Sequence, residues 1–430
     1  MRILNRRAGS SVVAALAMVA PVLVVAGGLP TARAADAPRH LSYHQWDSTA
    51  ELQTGTFRGT AASGGRLRLS APTGRATIGG HSYAVGTWTS PSVRPGFALT
   101  ELVPSWKAGT PPGTLVQVEV RGVTLGGHRS SWDDLGRWAS GDTSVRRTSL
   151  GAQRDDYAHV ATDTWEATYS GFRSWQLRVS LLRRTGTTST PTLDTVGAMS
   201  SALPDVDRVT RSTPGVARGI VLPVPRYSQM VHAGQYPRYG GGGEAWCSPT
   251  STTMVLAYYR RLPRASAYAW VDRSYSDRVV DHSARMTFDY GYDGTGNWPF
   301  NTAYAASRTG HAFVTRFASL RGVERFVRAG IPVVTSITFG RGQLTGAPIS
   351  ATSGHLVVVV GFTSAGNVVV NDPAARTDAG VRRTYDRGQF ENAWLQRYPS
   401  RGTMRGSGGL AYVIRDDAHP LPARVGNSNW

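Results

Sequence analysis

The hydrophobic pattern changes its period part-way along the chain, and that change bounds the fold. From about residue 38 to 200 the apolar residues come in short alternating runs, as in Arg66-Leu-Arg-Leu69, Leu115-Val-Gln-Val-Glu-Val-Arg121 and Trp175-Gln-Leu-Arg-Val-Ser-Leu-Leu182. Period-two alternation puts one side of a strand in a core and the other in water. Such strands, repeated without a strongly amphipathic helix between them, predict an antiparallel β-sandwich. From Val224 onward helix and strand patterns mix. With 430 residues the chain is also too long for one ordinary core. The expected architecture is multidomain: a β-sandwich over 38–200, a connector over 201–223 punctuated by Pro204 and Pro214, and an α+β domain over 224–418.

In the second half, the pattern predicts a helix over Pro249–Arg260, with Met254, Val255, Tyr258 and Tyr259 forming its apolar side. A second helix, Leu320–Ala329, is closed by Gly330. Pro332–Phe339 and His355–Phe362 are β-rich, and Val368–Asn371 follows the turn Ser364-Ala-Gly-Asn367 as the partner strand of a hairpin.

Residues 1–34 read as a signal peptide. Arg2, Arg6 and Arg7 precede an apolar run from Ser11 to Gly27, and Ala32-Arg33-Ala34 supplies the small residues of a cleavage site. The expected location is therefore secreted or extracellular. No later segment is apolar and long enough for stable membrane insertion after cleavage. The net charge of +19 is carried by scattered arginines, Lys107 being the single lysine, and no nucleic-acid motif appears. A nucleic-acid partner is not expected, since dedicated binders cluster their charge. Trp46, Trp88, Trp106, Trp132, Trp138, Trp165 and Trp175 all fall in the first half. Such tryptophans either fill the core or stack on sugar rings, so a cell-wall polymer is a partner to consider for the N-terminal domain.

Export gives the cysteine count its meaning. Cys247 is the only cysteine, so it has no partner for an internal disulfide, and a free thiol outside the cytoplasm is open to oxidation. It lies in Gly243-Glu-Ala-Trp-Cys247-Ser-Pro-Thr-Ser-Thr-Thr-Met-Val-Leu256. Ser248 can cap the helix and Pro249 suits its first position, which puts the thiol at the positive helix end. That location lowers a thiol pKa and offers free N–H groups to an oxyanion. The glycines from Gly240 to Gly243 clear side chains from the approach, as a substrate groove requires.

A thiol nucleophile needs a base and a group that orients the base. His355 opens one strand of the predicted hairpin and Asp372 follows the other. A regular ladder about a turn centred between Ala365 and Gly366 sets Asp372 opposite Val359, on the same face as His355 but four residues away. That is about 13 Å of strand, so contact requires a bulge, twist or bend.

The order Cys, His, Asp in CSPTSTTMVL, SGHLVVVVGF and VVVNDPA resembles the C39-like cysteine peptidases of the papain-like superfamily, over roughly Val224–Asp416. The resemblance implies an α+β fold in which a helix carrying the cysteine packs on an antiparallel sheet carrying the histidine and aspartate. It also implies a peptide or protein substrate and a glutamine upstream of the cysteine as oxyanion donor. Gln229 matches that position, with Gln235 as its competitor. Ser248 stands where the family usually has Gly.

His232, His282, His311 and His419 lack zinc-type spacing, and Asp281-His282 reads as a surface pair. Asp289, Asp293 and Asn297 lack the spacing of a calcium loop and read as a loop beside the site. No metal or cofactor is expected. Three functions fit these residues: a cysteine peptidase, a wall amidase or acyltransferase using the same triad, and an inactive binding protein.

Overall fold

The computed structural model describes residues 38–424, apart from 152, 401 and 402. The segment 1–34, expected to be a signal peptide, lies outside the described residues. Among them, no helix is long and apolar enough to cross a membrane.

Two antiparallel sheets form the N-terminal sandwich. In the first, seven-stranded sheet, Glu101–Gly109 and Thr192–Ala202 are central, and the hairpin of Ala158–Ala161 and Thr164–Ala167 lies at one edge. In the second, six-stranded sheet, Phe172–Arg184 lies between His81–Thr89 and Thr114–Thr124. The alternating runs occupy these strands as their period dictates: in Thr114–Thr124, Val116, Val118 and Val120 are wholly buried.

Six of the seven tryptophans, Trp46, Trp88, Trp106, Trp138, Trp165 and Trp175, are buried in the core and have no free ring face for a sugar. Trp132 is half-buried, with the guanidiniums of Arg121 and Arg178 each 4.4 Å from its ring centre.

Glu101–Gly109 departs from simple alternation, because nearly all its residues are buried. One side faces the sandwich core and the other is covered by the C-terminal region. Phe300, on the helix Trp298–Thr309, packs between Trp106 and Trp138, at ring separations of 6.2 and 5.4 Å. Ser105 Oγ accepts from the N–H of Val314 at 2.7 Å, and Arg147, fully buried, donates to the carbonyls of Arg285 and Phe288. One hydrophobic core runs through both regions, from Tyr43 to Ile414.

The C-terminal region is α+β. Its six-stranded antiparallel sheet runs in the order His311–Arg316, Leu410–Arg415, Val333–Phe339, Thr352–Phe362, Val368–Asn371, Arg382–Tyr385. The helix Cys247–Tyr258 packs against it, pinned by the Ser251 hydroxyl donating to the Leu356 carbonyl at 3.0 Å. The stretch between the regions lies against this sheet: Leu222 N–H donates to Val360 and Phe362 N–H to Ile220.

Candidate active site

The cysteine helix begins two residues before the predicted start. Cys247 is its first residue and Trp246 its N-cap, held by a fully buried indole that donates to the Tyr239 carbonyl at 2.6 Å. Pro249 therefore sits at the third position, where its missing N–H is still harmless because the first four helical N–H groups have no intrahelical partner. Ser248 makes no cap. Its buried hydroxyl shares a 3.0 Å hydrogen bond with the Tyr412 hydroxyl. The earlier start places the thiol on the first helical turn itself.

The glycine run answers a backbone demand before a substrate demand. Gly240, Gly241 and Gly242 adopt φ of 72°, 98° and 106°, in the left-handed half of the map. At Gly243 an added Cβ would meet the backbone of His232 at 2.3 Å. Of the four, Gly240 lines the cleft in front of Cys247.

The hairpin supplies the irregularity that contact between His355 and Asp372 requires. Phe362 pairs with Val368 and Gly361 with Val369, one residue in from the regular register. Val360 is then bulged out, so that Val359 pairs with Val370 and Val358 with Asn371. Continued by one step, Asp372 falls opposite Val357, two residues nearer His355 and still on its face. Diagonal neighbours at that separation lie about 7–8 Å apart, a gap an imidazole and a carboxylate span together. His355 Nε2 meets Asp372 Oδ1 at 2.8 Å, with both side chains buried.

Because Nε2 is engaged by Asp372, the hydrogen bond between His355 and the Cys247 thiol uses Nδ1. Burial pushes the thiol pKa up. The hydrogen bond and charge of His355, with the backbone N–H groups of Leu356 and Ser248, outweigh burial and leave it below its ordinary value. Burial also opposes charge on His355, but the Asp372 carboxylate and the thiol raise it to about 10. Asp372 is held below the usual carboxylate range despite burial, by His355, by the Tyr385 hydroxyl donating to Oδ2 at 2.7 Å and by the Ala374 N–H at 3.0 Å. The pair is thus shifted toward a thiolate beside an imidazolium, each charge stabilising the other. Tyr385 had no signal in the sequence, since its strand pairs into place only through Val368–Asn371.

Gln229 and Gln235 are placed differently. Gln229 is buried, its backbone N–H donating to Pro373 and its side-chain amide to the carbonyl of Glu244, at 2.8 and 2.6 Å. It thus ties the Asp372 loop to the turn that leads into Cys247. Gln235 faces away, with Oε1 3.1 Å from His232 Nδ1 and Nε2 donating to Val231. Asp281-His282 is not a surface pair: Asp281 lies fully buried 3.0 Å from His232, and burial depresses His282 to about 4. The helix Val279–Thr287 that carries them is covered on both sides, which its alternating charges concealed.

The cleft in front of Cys247 has a volume of about 590 Å³. Its walls come from Ser353, Gly354 and Leu356 around His355, from the loop around Asp293, and from Ala161–Thr164 and Glu166 of the sandwich hairpin. Asp289 organises that loop: Oδ1 accepts from the N–H groups of Ser149, Gly291 and Tyr292, and Oδ2 from Asn297.

Residues 42–201 match the family model of the Peptidase C39 N-terminal domain, and residues 221–400 that of the Peptidase_C39 like family. Residues 221–400 belong to the C39-like peptidase family. Membership supports a peptidase-type function for this C39-like chain. A solved C39-like peptidase from Bacillus anthracis is 18% identical, covering 47% of this chain and 100% of its own, with a TM-score of 0.28. A solved carbohydrate-binding module of the β-sandwich superfamily is 12% identical over 36% of this chain and 55% of its own, with a TM-score of 0.14. No curated protein matches this C39-like peptidase.

Proposed function

We propose that the chain is an exported cysteine peptidase acting through Cys247, His355 and Asp372. The observation that carries this reading is the orientation of one imidazole, with Nε2 on the Asp372 carboxylate at 2.8 Å and its other nitrogen on the thiol at the mouth of a cleft. Cys247 Sγ attacks the scissile carbonyl, the C–N bond breaks, and the imidazolium Nδ1–H passes its proton to the leaving amine. A thioester remains. His355, now neutral, takes a proton from water, whose oxygen attacks the thioester. The C–S bond breaks, releasing the carboxylic acid and restoring the ion pair. Asp372 stays ionised throughout and holds the imidazole in place. The developing oxyanion is met by the free N–H groups of the helix start and by Gln229. The N-terminal segment 1–34, read as a signal peptide, supplies the route out of the cell.

A thiol-reactive acyl probe tests the reading, with Cys247→Ala and His355→Ala as controls. Labelling of wild type alone at neutral pH is expected, and labelling of Cys247→Ala to the same extent would overturn it. Digests of protein and of peptidoglycan, read by mass spectrometry, then set peptidase against wall amidase.

A further inference from the structure

The cleft runs against the charge of the rest of the molecule. The chain carries a net +19, yet the cleft walls contain Asp163, Glu166 and Asp293 and, among the described residues that line them, no Lys, Arg or His. The Cys247, His355 and Asp372 side chains next to it add no net positive charge. The three carboxylates differ in how far they are committed elsewhere. Asp163 is buried and serves the fold, accepting the Trp298 N–H at 2.6 Å at the start of a helix. Glu166 stands on the sandwich strand Thr164–Ala167, half-buried, with His159 across the ladder at 3.2 Å. Asp293 is exposed on the loop Asp289–Asn297, where its side chain makes no ion pair among the described residues. Its backbone is left-handed, φ 56°, at a position glycine would fill without strain and next to Gly294. Two acids from different regions of the chain thus line a space whose walls lack the prevailing charge.

We infer that this cleft selects peptides carrying a positively charged side chain, lysine or arginine, close to the scissile bond, with Glu166 and Asp293 as the specificity-determining residues. The inference rests on the peptidase reading and names its substrate class. It also gives the N-terminal region a part in substrate recognition, because one of the two acids is on the sandwich. A cationic side chain in the cleft gains charge-assisted contacts from both carboxylates, while an acidic one meets repulsion from both.

The test uses the full chain carrying Cys247→Ala, so that binding is read without turnover. Fluorescent peptides that differ only in a lysine or its acetylated form, with that residue moved position by position, are titrated by anisotropy. At one or two adjacent positions the free lysine should bind about tenfold more tightly, as expected for two partly solvated carboxylates acting together. Glu166→Gln with Asp293→Asn, added to Cys247→Ala, should bring the two forms to equal affinity. Equal binding of both forms at every position, no binding of either, or a lysine preference that survives the double substitution would overturn the inference. The peptidase reading is judged separately, by probe labelling of the wild-type thiol. A lysine preference without labelling would sink that reading and leave the recognition site standing.

Discussion

Replacing Glu101 by alanine asks whether the sandwich and the C-terminal region unfold as one body. Glu101 lies on the central sandwich strand, 4% exposed, and its carboxylate pairs with two guanidiniums from the other region. Arg316 reaches Oε2 at 2.6 Å, and Arg397 holds Oε1 while also pairing with Asp205. Burial opposes the carboxylate charge, but the two arginines keep its pKa below the ordinary value. Alanine leaves two cations facing each other with their common counter-ion gone, a loss of about 3–5 kcal/mol. Glutamine keeps the volume and one acceptor, and should cost less. With about 2.1 cal/mol/K of unfolding entropy per residue, a cooperative unit of about 390 residues loses roughly 4–6 °C in Tm. Differential scanning calorimetry of wild type and Glu101→Ala reads this directly. The sign with pH follows from the depressed pKa: the gap between the two proteins is full above the ordinary glutamate value of 4.5 and shrinks as pH falls through the folded value. Two separate transitions in wild type, or a loss below about 1 kcal/mol, would refute the claim that this buried cluster joins the regions into one unit.

Other outcomes follow from the site. Tyr385→Phe removes a donor from the buried Oδ2 of Asp372; it should cost about 1–3 kcal/mol of stability and raise the pH at which Asp372 titrates, followed by NMR of the carboxyl carbon. Gln229→Ala should lower kcat by about 10²–10³ with a smaller change in KM if its amide meets the oxyanion, whereas Gln235→Ala should leave kcat near wild type. The reverse ranking would hand the role to Gln235.

Much of the fold was legible because its strands obey a period. Arg66–Leu69 and Val368–Asn371 have the bounds their residues predict, and the strand around Leu115 extends only to Thr114–Thr124. The candidate site residues could be named from residue type and order, but their contact could not. The bulge falls at Val360 within Val357–Val360, a run of identical residues with no local mark of where the extra one sits. The helix start was misplaced because Ser248-Pro249 imitates a cap, whereas the competing signal, the buried Trp246 indole bonded to Tyr239, is tertiary. Tertiary packing also hid the cleft wall. The hairpin that carries Glu166 lies far from Cys247 in sequence, and nothing local to it indicates that it borders the thiol.

The proposed chemistry turns on Cys247 being a thiolate held by His355. Its most direct test is the rate of iodoacetamide alkylation of the single thiol as a function of pH, in wild type and in His355→Ala. In wild type the rate should already be high at neutral pH, below the ordinary thiol pKa of 9.0, and should change again near 10 as His355 loses its proton. In His355→Ala a single rise at or above the ordinary thiol range should replace both features. A wild-type profile with one ordinary thiol titration, unaltered by His355→Ala, would contradict the ion pair and the function built on it.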